Sequence, residues 1–100
     1  MSRSIVNMSA VPERIAYHFW SPTCAPCAYI KPIIADLIDD FPGIYFVGVN
    51  TKDDPQEISS KFNIQFVPSF VIVKNGIEIG RYTGSDASMY FTLCRKLLSA

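Results

Sequence analysis

Two cysteines three residues apart, Cys24 and Cys27, lie where a predicted strand gives way to a predicted helix. The apolar run from Ile15 to Trp20 is typical of a buried strand. After the cysteines, apolar residues recur at steps of three and four, which predicts a helix to about Asp40. These apolar residues are Ile30, Ile33, Ile34, Leu37, Ile38 and Phe41. The sequence therefore places two thiols at the start of a helix.

That position favours a reactive sulfur. The first turn of a helix has unpaired backbone N–H groups and the positive end of the helix dipole, so it stabilises an anion. A thiolate at Cys24 would be that anion, and we expect its pKa to be lowered. Cys27 follows one turn later on the same face and can close a disulfide with Cys24. Pro26 suits the helix start because the N–H that it lacks would be unpaired there.

The middle of the chain predicts a second strand and a short helix. Phe41-Pro42-Gly43 should end the first helix, and Pro32 should kink it. The run from Ile44 to Val49 predicts a second buried strand. Asp54 and Glu57 have the spacing of a capping box, with Pro55 at the first helical position. The short helix that they start should end near Asn63.

The last third predicts a hairpin and a final helix. Phe70–Val73 and Ile77–Tyr82 read as antiparallel strands joined by a tight turn at Asn75-Gly76. Gly84-Ser85-Asp86 should end the sheet and cap a helix whose apolar residues keep a helical period. Cys94 lies within that apolar pattern, so we expect a buried core residue there. The predicted order is β-α-β-α-β-β-α, an α/β domain.

Composition sets the broad class. One hundred residues, 49% of them hydrophobic, suit one domain with its own core, here residues 1–100. Nine basic and nine acidic residues balance, which gives no reason to expect a nucleic acid or membrane partner. We identify no signal peptide or membrane span. Three cysteines without a secretory signal do not suggest a disulfide-stabilised secreted protein, so a cytoplasmic, reducing setting fits best. We also expect a monomer.

A set of motifs in order resembles the thioredoxin family over roughly residues 14–98. A lone Cys-x-x-Cys would be weak, but here it comes with Trp20, Pro26, Pro32 and two further motifs. Those motifs are Val67-Pro68-Ser69 before a strand and Lys74-Asn75-Gly76 in a hairpin. The resemblance implies the thioredoxin fold, a central mixed sheet flanked by helices. It also implies that residues 1–12 are a short remnant of the usual first strand and helix.

The resemblance further implies an activity. Members reduce protein disulfides: Cys24 would attack the target, and Cys27 would resolve the mixed disulfide, leaving a Cys24–Cys27 disulfide. No metal or organic cofactor is implied, whereas a thioredoxin reductase or another dithiol donor is. The family places a cis proline at the position of Pro68, which would expose the Val67 backbone to an extended substrate. With Trp20, Ala25, Pro26 and Gly84, this loop would form a small apolar docking patch.

The chain departs from the family pattern at four positions. Thr23, Ala25 and Ala28 replace a common tryptophan, glycine and basic residue at the rim of the site. His18 stands where the family usually has a buried aspartate that is thought to assist proton transfer. Two hypotheses remain open for His18: a hydrogen-bonded core histidine, or a substitute proton acceptor for Cys27.

Four alternatives compete with the redox hypothesis. The cysteines could be merely small buried residues, or half of a zinc site, although His18 and Cys94 are the remaining cysteine or histidine candidates. The third is a thioredoxin-shaped docking subunit without turnover. A more oxidising disulfide oxidase or isomerase is closest in chemistry and would differ in redox potential.

Overall fold

The predicted strands form one four-stranded sheet in a computed structural model that describes residues 11–100. Its strands are β1 (Arg14–Trp20), β2 (Tyr45–Asn50), β3 (Ser69–Lys74) and β4 (Ile77–Thr83), in the order β2-β1-β3-β4. β1 pairs parallel with β2 and antiparallel with β3, which pairs antiparallel with β4. The predicted mixed sheet is confirmed. The predicted remnant at residues 1–12 falls almost wholly outside the described residues and stays a prediction.

Within the described residues, three helices complete the predicted order: α1 (Ala25–Ile38), α2 (Ile58–Lys61) and α3 (Ala87–Ser99). α1 continues through Pro32 and ends two residues earlier than predicted. The reason is a tightening of its last turn, because Asp40 and Phe41 donate to the carbonyls three residues before them. Ile44 also donates to Phe41 in a turn, so β2 begins one residue late.

The predicted capping box at Asp54 is wrong. Asp54 and Glu57 form a turn before the helix, with the Glu57 N–H 2.9 Å from the Asp54 carbonyl. Glu57 then becomes the residue that precedes α2, in the left-handed region at φ 55°, and its side chain makes no cap bond. The Asp54 carboxylate instead accepts from the N–H groups of Ile58 and Ser59, at 3.0 and 2.8 Å. At α3 the prediction is confirmed, since Asp86 accepts from the Ser88 N–H at 3.0 Å.

The sheet carries a buried cluster on each face. One face packs against α1 and α3 through side chains that include Ala16, Ile30, Ile34, Phe70, Tyr90, Cys94 and Leu97. The opposite face buries Phe19, Val49, Val71 and Val73, with Ile58 and Phe62 of the α2 region packed against them. β1 lies between two strands, and its even-numbered residues face α1. His18 and Trp20 therefore point to the side of the sheet on which the cysteines lie.

Phe70 joins the core to the cysteine side of the sheet. Its ring is fully buried and packs against Tyr90 with ring centroids 4.2 Å apart. Its ring also stacks on His18, with centroids 4.9 Å apart and planes 10° from parallel. Phe70 thus fixes the position of the His18 ring by stacking against it on the same face of the sheet.

We predict that Phe70→Ala lowers the free energy of unfolding by about 3–5 kcal/mol, because it removes a fully buried ring and leaves a cavity. Urea unfolding followed by far-UV circular dichroism measures this loss. Phe66→Ala is the matched control, since the Phe66 side chain is 70% exposed. Its effect should stay within about 0.5 kcal/mol. Equal losses in the two variants would contradict the central position of Phe70.

Candidate active site

The start of α1 holds Cys24 as its N-cap. Cys24 has an extended backbone, and its sulfur accepts a hydrogen bond from the Cys27 N–H at 3.1 Å. Pro26 lies in the first two helical positions, as predicted. The two cysteines form a disulfide with their Cα atoms 5.2 Å apart. Cys24 is partly exposed, whereas Cys27 is 3% exposed, so solvent reaches the first sulfur far more readily.

A cavity of about 440 Å³ lies beside the disulfide. It brings together both cysteines, His18 and Trp20, which the sequence had assigned to the site. The lining is completed by Ser21, Pro22, Ala28, Lys31 and Gly48. Its walls come from the end of β1, the first two turns of α1 and the middle of β2. The strand-to-helix junction therefore creates a recess as well as a reactive sulfur.

His18 lies in this cavity wall as a neutral imidazole. It pairs with Gly48 of β2 and Phe70 of β3 in the sheet register. Its Nε2 atom is buried and, among the described residues, has no hydrogen-bond partner. Burial first, and then the positive charge of Lys31, lower the pKa of His18 to about 4. The hypothesis of a hydrogen-bonded core histidine finds no support at Nε2.

Lys31 and Gly48 are site residues that the sequence analysis missed. The Lys31 ammonium lies 5.4 Å from the centroid of the Trp20 ring, within the range of a cation–π contact. Its position four residues after Cys27 on α1 was a usable signal, because such residues share a helix face. Gly48 lies opposite His18, and a side chain there would extend toward Trp20 Nε1. That placement depends on the β1–β2 register, which the sequence does not state.

The residues of the predicted docking patch lie at the end of β1, at the start of α1, in the loop before β3 and directly after β4. Ala25 and Pro26 are exposed, and Trp20 and Val67 are partly exposed. The Val67-Pro68 bond is cis, as the resemblance implied, but Pro68 itself is buried and offers little surface.

Gly84 fixes the far side of the loop by donating its N–H to the Pro68 carbonyl at 3.0 Å. It has φ 144°, and an added Cβ would lie 2.8 Å from the Tyr82 ring carbon that bears the hydroxyl. Glycine is therefore required there.

A second, shallower cavity of about 230 Å³ separates the cysteine loop from the Val67 loop. Thr23 lines one side, and Phe66 and Val67 line the other. Phe66 is 70% exposed and was not among the predicted site residues. This cavity shares Ser21 with the lining of the larger one beside His18, but neither cysteine lines it.

The remaining cysteine does not belong to the site. Cys94 is fully buried in the α3 core, and burial raises the pKa of its thiol to about 12, as expected for an inert side chain. Residues 11–100 contain no group of three or more histidine, cysteine or acidic side chains placed to hold a metal ion. Within the same residues, no helix combines the length and apolar character that crossing a membrane requires.

We predict that the free energy of unfolding decreases as the pH is lowered, because of His18. Histidine in the unfolded chain has a pKa near 6.5, while the pKa of His18 in the folded protein is about 4. The contribution of His18 to stability is therefore fully present above pH 6.5. As the pH falls between these two pKa values, the unfolded chain binds a proton that the folded chain does not. This lowers the free energy of unfolding by up to about 3 kcal/mol at the lower pKa.

Urea unfolding at a series of pH values should show this loss in the parent and less of it in His18→Gln. Since His18 is the sole histidine, its nuclear magnetic resonance titration is unambiguous. A midpoint near 6.5 would contradict the prediction.

Comparisons with known proteins agree with this geometry. The thioredoxin family model matches residues 6–93. A thioredoxin of Haemophilus influenzae is 30% identical over 82 residues, covering 82% of this chain and 75% of that protein. A rice thioredoxin H-type is 33% identical over 67% of this chain, which spans only 54% of that relative. Among solved structures, Fasciola hepatica thioredoxin superposes with a TM-score of 0.81 at 23% identity, over 95% of this chain and 89% of that one. The chain belongs to the thioredoxin family.

Proposed function

We propose that this protein reduces disulfides of other proteins through Cys24 and Cys27. The observation that carries the proposal is the contact at the start of α1, where the sulfur of the partly exposed Cys24 accepts a hydrogen bond from the Cys27 N–H. The same donor and the helix dipole would stabilise a Cys24 thiolate. Membership of the thioredoxin family supports the same activity.

The reaction proceeds in two exchanges. The Cys24 thiolate attacks one sulfur of the target disulfide, forms a mixed disulfide and releases the other target sulfur as a thiolate. Cys27 then loses its proton and attacks Cys24, which releases the second target thiolate and closes the Cys24–Cys27 disulfide. Two electrons pass from the dithiol to the target. Cys27 is placed for the second step, since it is buried one turn behind Cys24.

We assign the proton of Cys27 to His18 in the second exchange. At neutral pH the imidazole is uncharged, because the pKa of His18 is lowered to about 4 by burial and by Lys31. Its Nε2 makes no hydrogen bond to the described residues, and both His18 and Cys27 line the same cavity. Transfer of the proton would create an imidazolium beside a thiolate, and each charge stabilises the other.

Target proteins would dock on the surface around Cys24. Val67, which is partly exposed, would offer its backbone to an extended segment, with Trp20, Ala25 and Pro26 beside it. Gly84 supports this surface through its bond to Pro68. The cycle also needs a thioredoxin reductase or another dithiol donor to restore the dithiol, and such a cycle suits a cytoplasmic, reducing setting.

We predict that Cys27→Ser accumulates covalent complexes with targets, because the mixed disulfide at Cys24 cannot be resolved. Non-reducing gels after incubation with insulin measure them, and Cys24→Ser should give none. Iodoacetamide should label Cys24 in the reduced parent, while buried Cys94 stays unlabelled and serves as the internal control. If both variants reduce insulin as fast as the parent, the dithiol mechanism is wrong, and a docking subunit without turnover becomes the better hypothesis.

We predict that His18→Ala slows resolution of the mixed disulfide by about tenfold or more, a typical effect of losing a general base. The first attack by Cys24 should keep nearly its parental rate. Rapid mixing across the neutral pH range separates the two steps.

His18→Asp is the matched variant, because it restores the carboxylate that the family usually has and should recover resolution. If His18→Ala resolves at the parental rate with the parental pH profile, His18 is a structural residue.

A further inference from the structure

We infer that the cavity beside the disulfide binds small disulfides that carry a carboxylate, and that Lys31 recognises the carboxylate. This inference rests on the proposed function, since it assigns a second class of substrate to the same dithiol. It concerns the recess lined by His18, Lys31 and Gly48, which shares Trp20 with the surface proposed for target proteins but lies beside it.

The charge in the cavity selects an anion. Among the described residues that line it, Lys31 is the one with a permanent charge, and none is acidic. Within residues 11–100, the salt bridges involve Arg14, Lys74 and Arg81 but not Lys31. Its ammonium faces the Trp20 ring instead of a carboxylate. An uncompensated ammonium at the edge of an apolar recess favours a carboxylate through a charge-assisted hydrogen bond.

The size and walls of the cavity suit a short carbon chain. A volume of about 440 Å³ is within the range of small-molecule sites. Trp20, Pro22 and Ala28 supply apolar surface, and Gly48 leaves open the space that a side chain would fill. Both cysteines also line the cavity, so a ligand whose carboxylate contacts Lys31 lies near the reactive sulfurs.

The chemistry balances without another reagent. The Cys24 thiolate breaks the ligand's S–S bond, forms a Cys24–ligand disulfide and expels one carboxylate-bearing thiolate. Cys27, having lost its proton, attacks Cys24 and expels the second. The dithiol is oxidised by two electrons to the Cys24–Cys27 disulfide, and the ligand is reduced to two thiols that take up the two protons.

Binding is tested first with probes that cannot react. Suberate and hexamethylenediamine have the shapes of dithiodipropionate and cystamine but contain no sulfur and carry opposite charges. Trp20 is the sole tryptophan and lines the cavity, so its fluorescence in the oxidised protein reports occupancy. We expect a saturable change with suberate and none with the diamine. An equal response to both probes, or no response to either, would overturn the inference.

Variants then assign the binding to Lys31. Lys31→Met should weaken suberate binding by about tenfold, the effect expected for one hydrogen bond to a charged group. Lys31→Arg should retain binding, and the control Lys96→Met, at an exposed lysine of α3, should match the parent. Gly48→Val, which fills the recess, should also weaken binding. Unchanged affinity in both Lys31→Met and Gly48→Val would place suberate elsewhere and refute the site.

Turnover is compared as a ratio, because the two small disulfides differ in intrinsic reactivity. The ratio of kcat/KM for dithiodipropionate to that for cystamine should fall about tenfold in Lys31→Met and stay unchanged in Lys96→Met. Insulin reduction by the parent separates the two failures. If insulin is reduced while the ratio does not change in Lys31→Met, only this inference fails. If no disulfide is reduced at all, the proposed function fails with it.

Discussion

The hydrogen bond from the Cys27 N–H to the Cys24 sulfur is the contact that would stabilise a thiolate at Cys24, and it depends on the rest of the fold. It exists because α1 begins immediately after Cys24, with its backbone donors aimed at that side chain. α1 can begin there because Ile30, Ile34 and Leu37 anchor its inner face in the core. Cys27 lies on the same inner face of α1 and is therefore buried as well. The packing that holds the helix thus also exposes one sulfur and shields the other.

Three residues around the disulfide determine the charge in the cavity. His18 is neutral where the family usually has a carboxylate, and Lys31 adds a positive charge four residues after Cys27. Gly48, opposite His18 in the sheet, contributes no side chain and leaves the recess open. A thiolate in these surroundings meets no negative charge from the described cavity lining. The site therefore has the cysteine pair of the family, but the charge beside the cysteines differs from the usual family pattern.

The sequence was sufficient where the physics is local. The turn at Asn75-Gly76, the cap at Asp86 and the periodic apolar face of α1 each follow from a few neighbouring residues, and the structure confirms them. The capping box failed because an equally local alternative, a turn closed by Glu57, displaced the start of α2. The cavity could not be foreseen, since it depends on the register that places Gly48 beside His18. Lys31 had a usable signal in its spacing from Cys27, whereas Gly48 had none, because it reaches the site through the pairing of two strands.

The proposed proton transfer also links the redox state to pH. In the disulfide form no thiolate faces His18, and burial together with Lys31 keeps its pKa near 4. Reduction would add a thiol at Cys27 whose ionised form attracts a proton to the imidazole. His18 would then hold a proton more readily in the reduced form than in the oxidised form. Proton uptake would accompany electron uptake, so the balance between dithiol and disulfide would depend on His18 as well as on the two sulfurs.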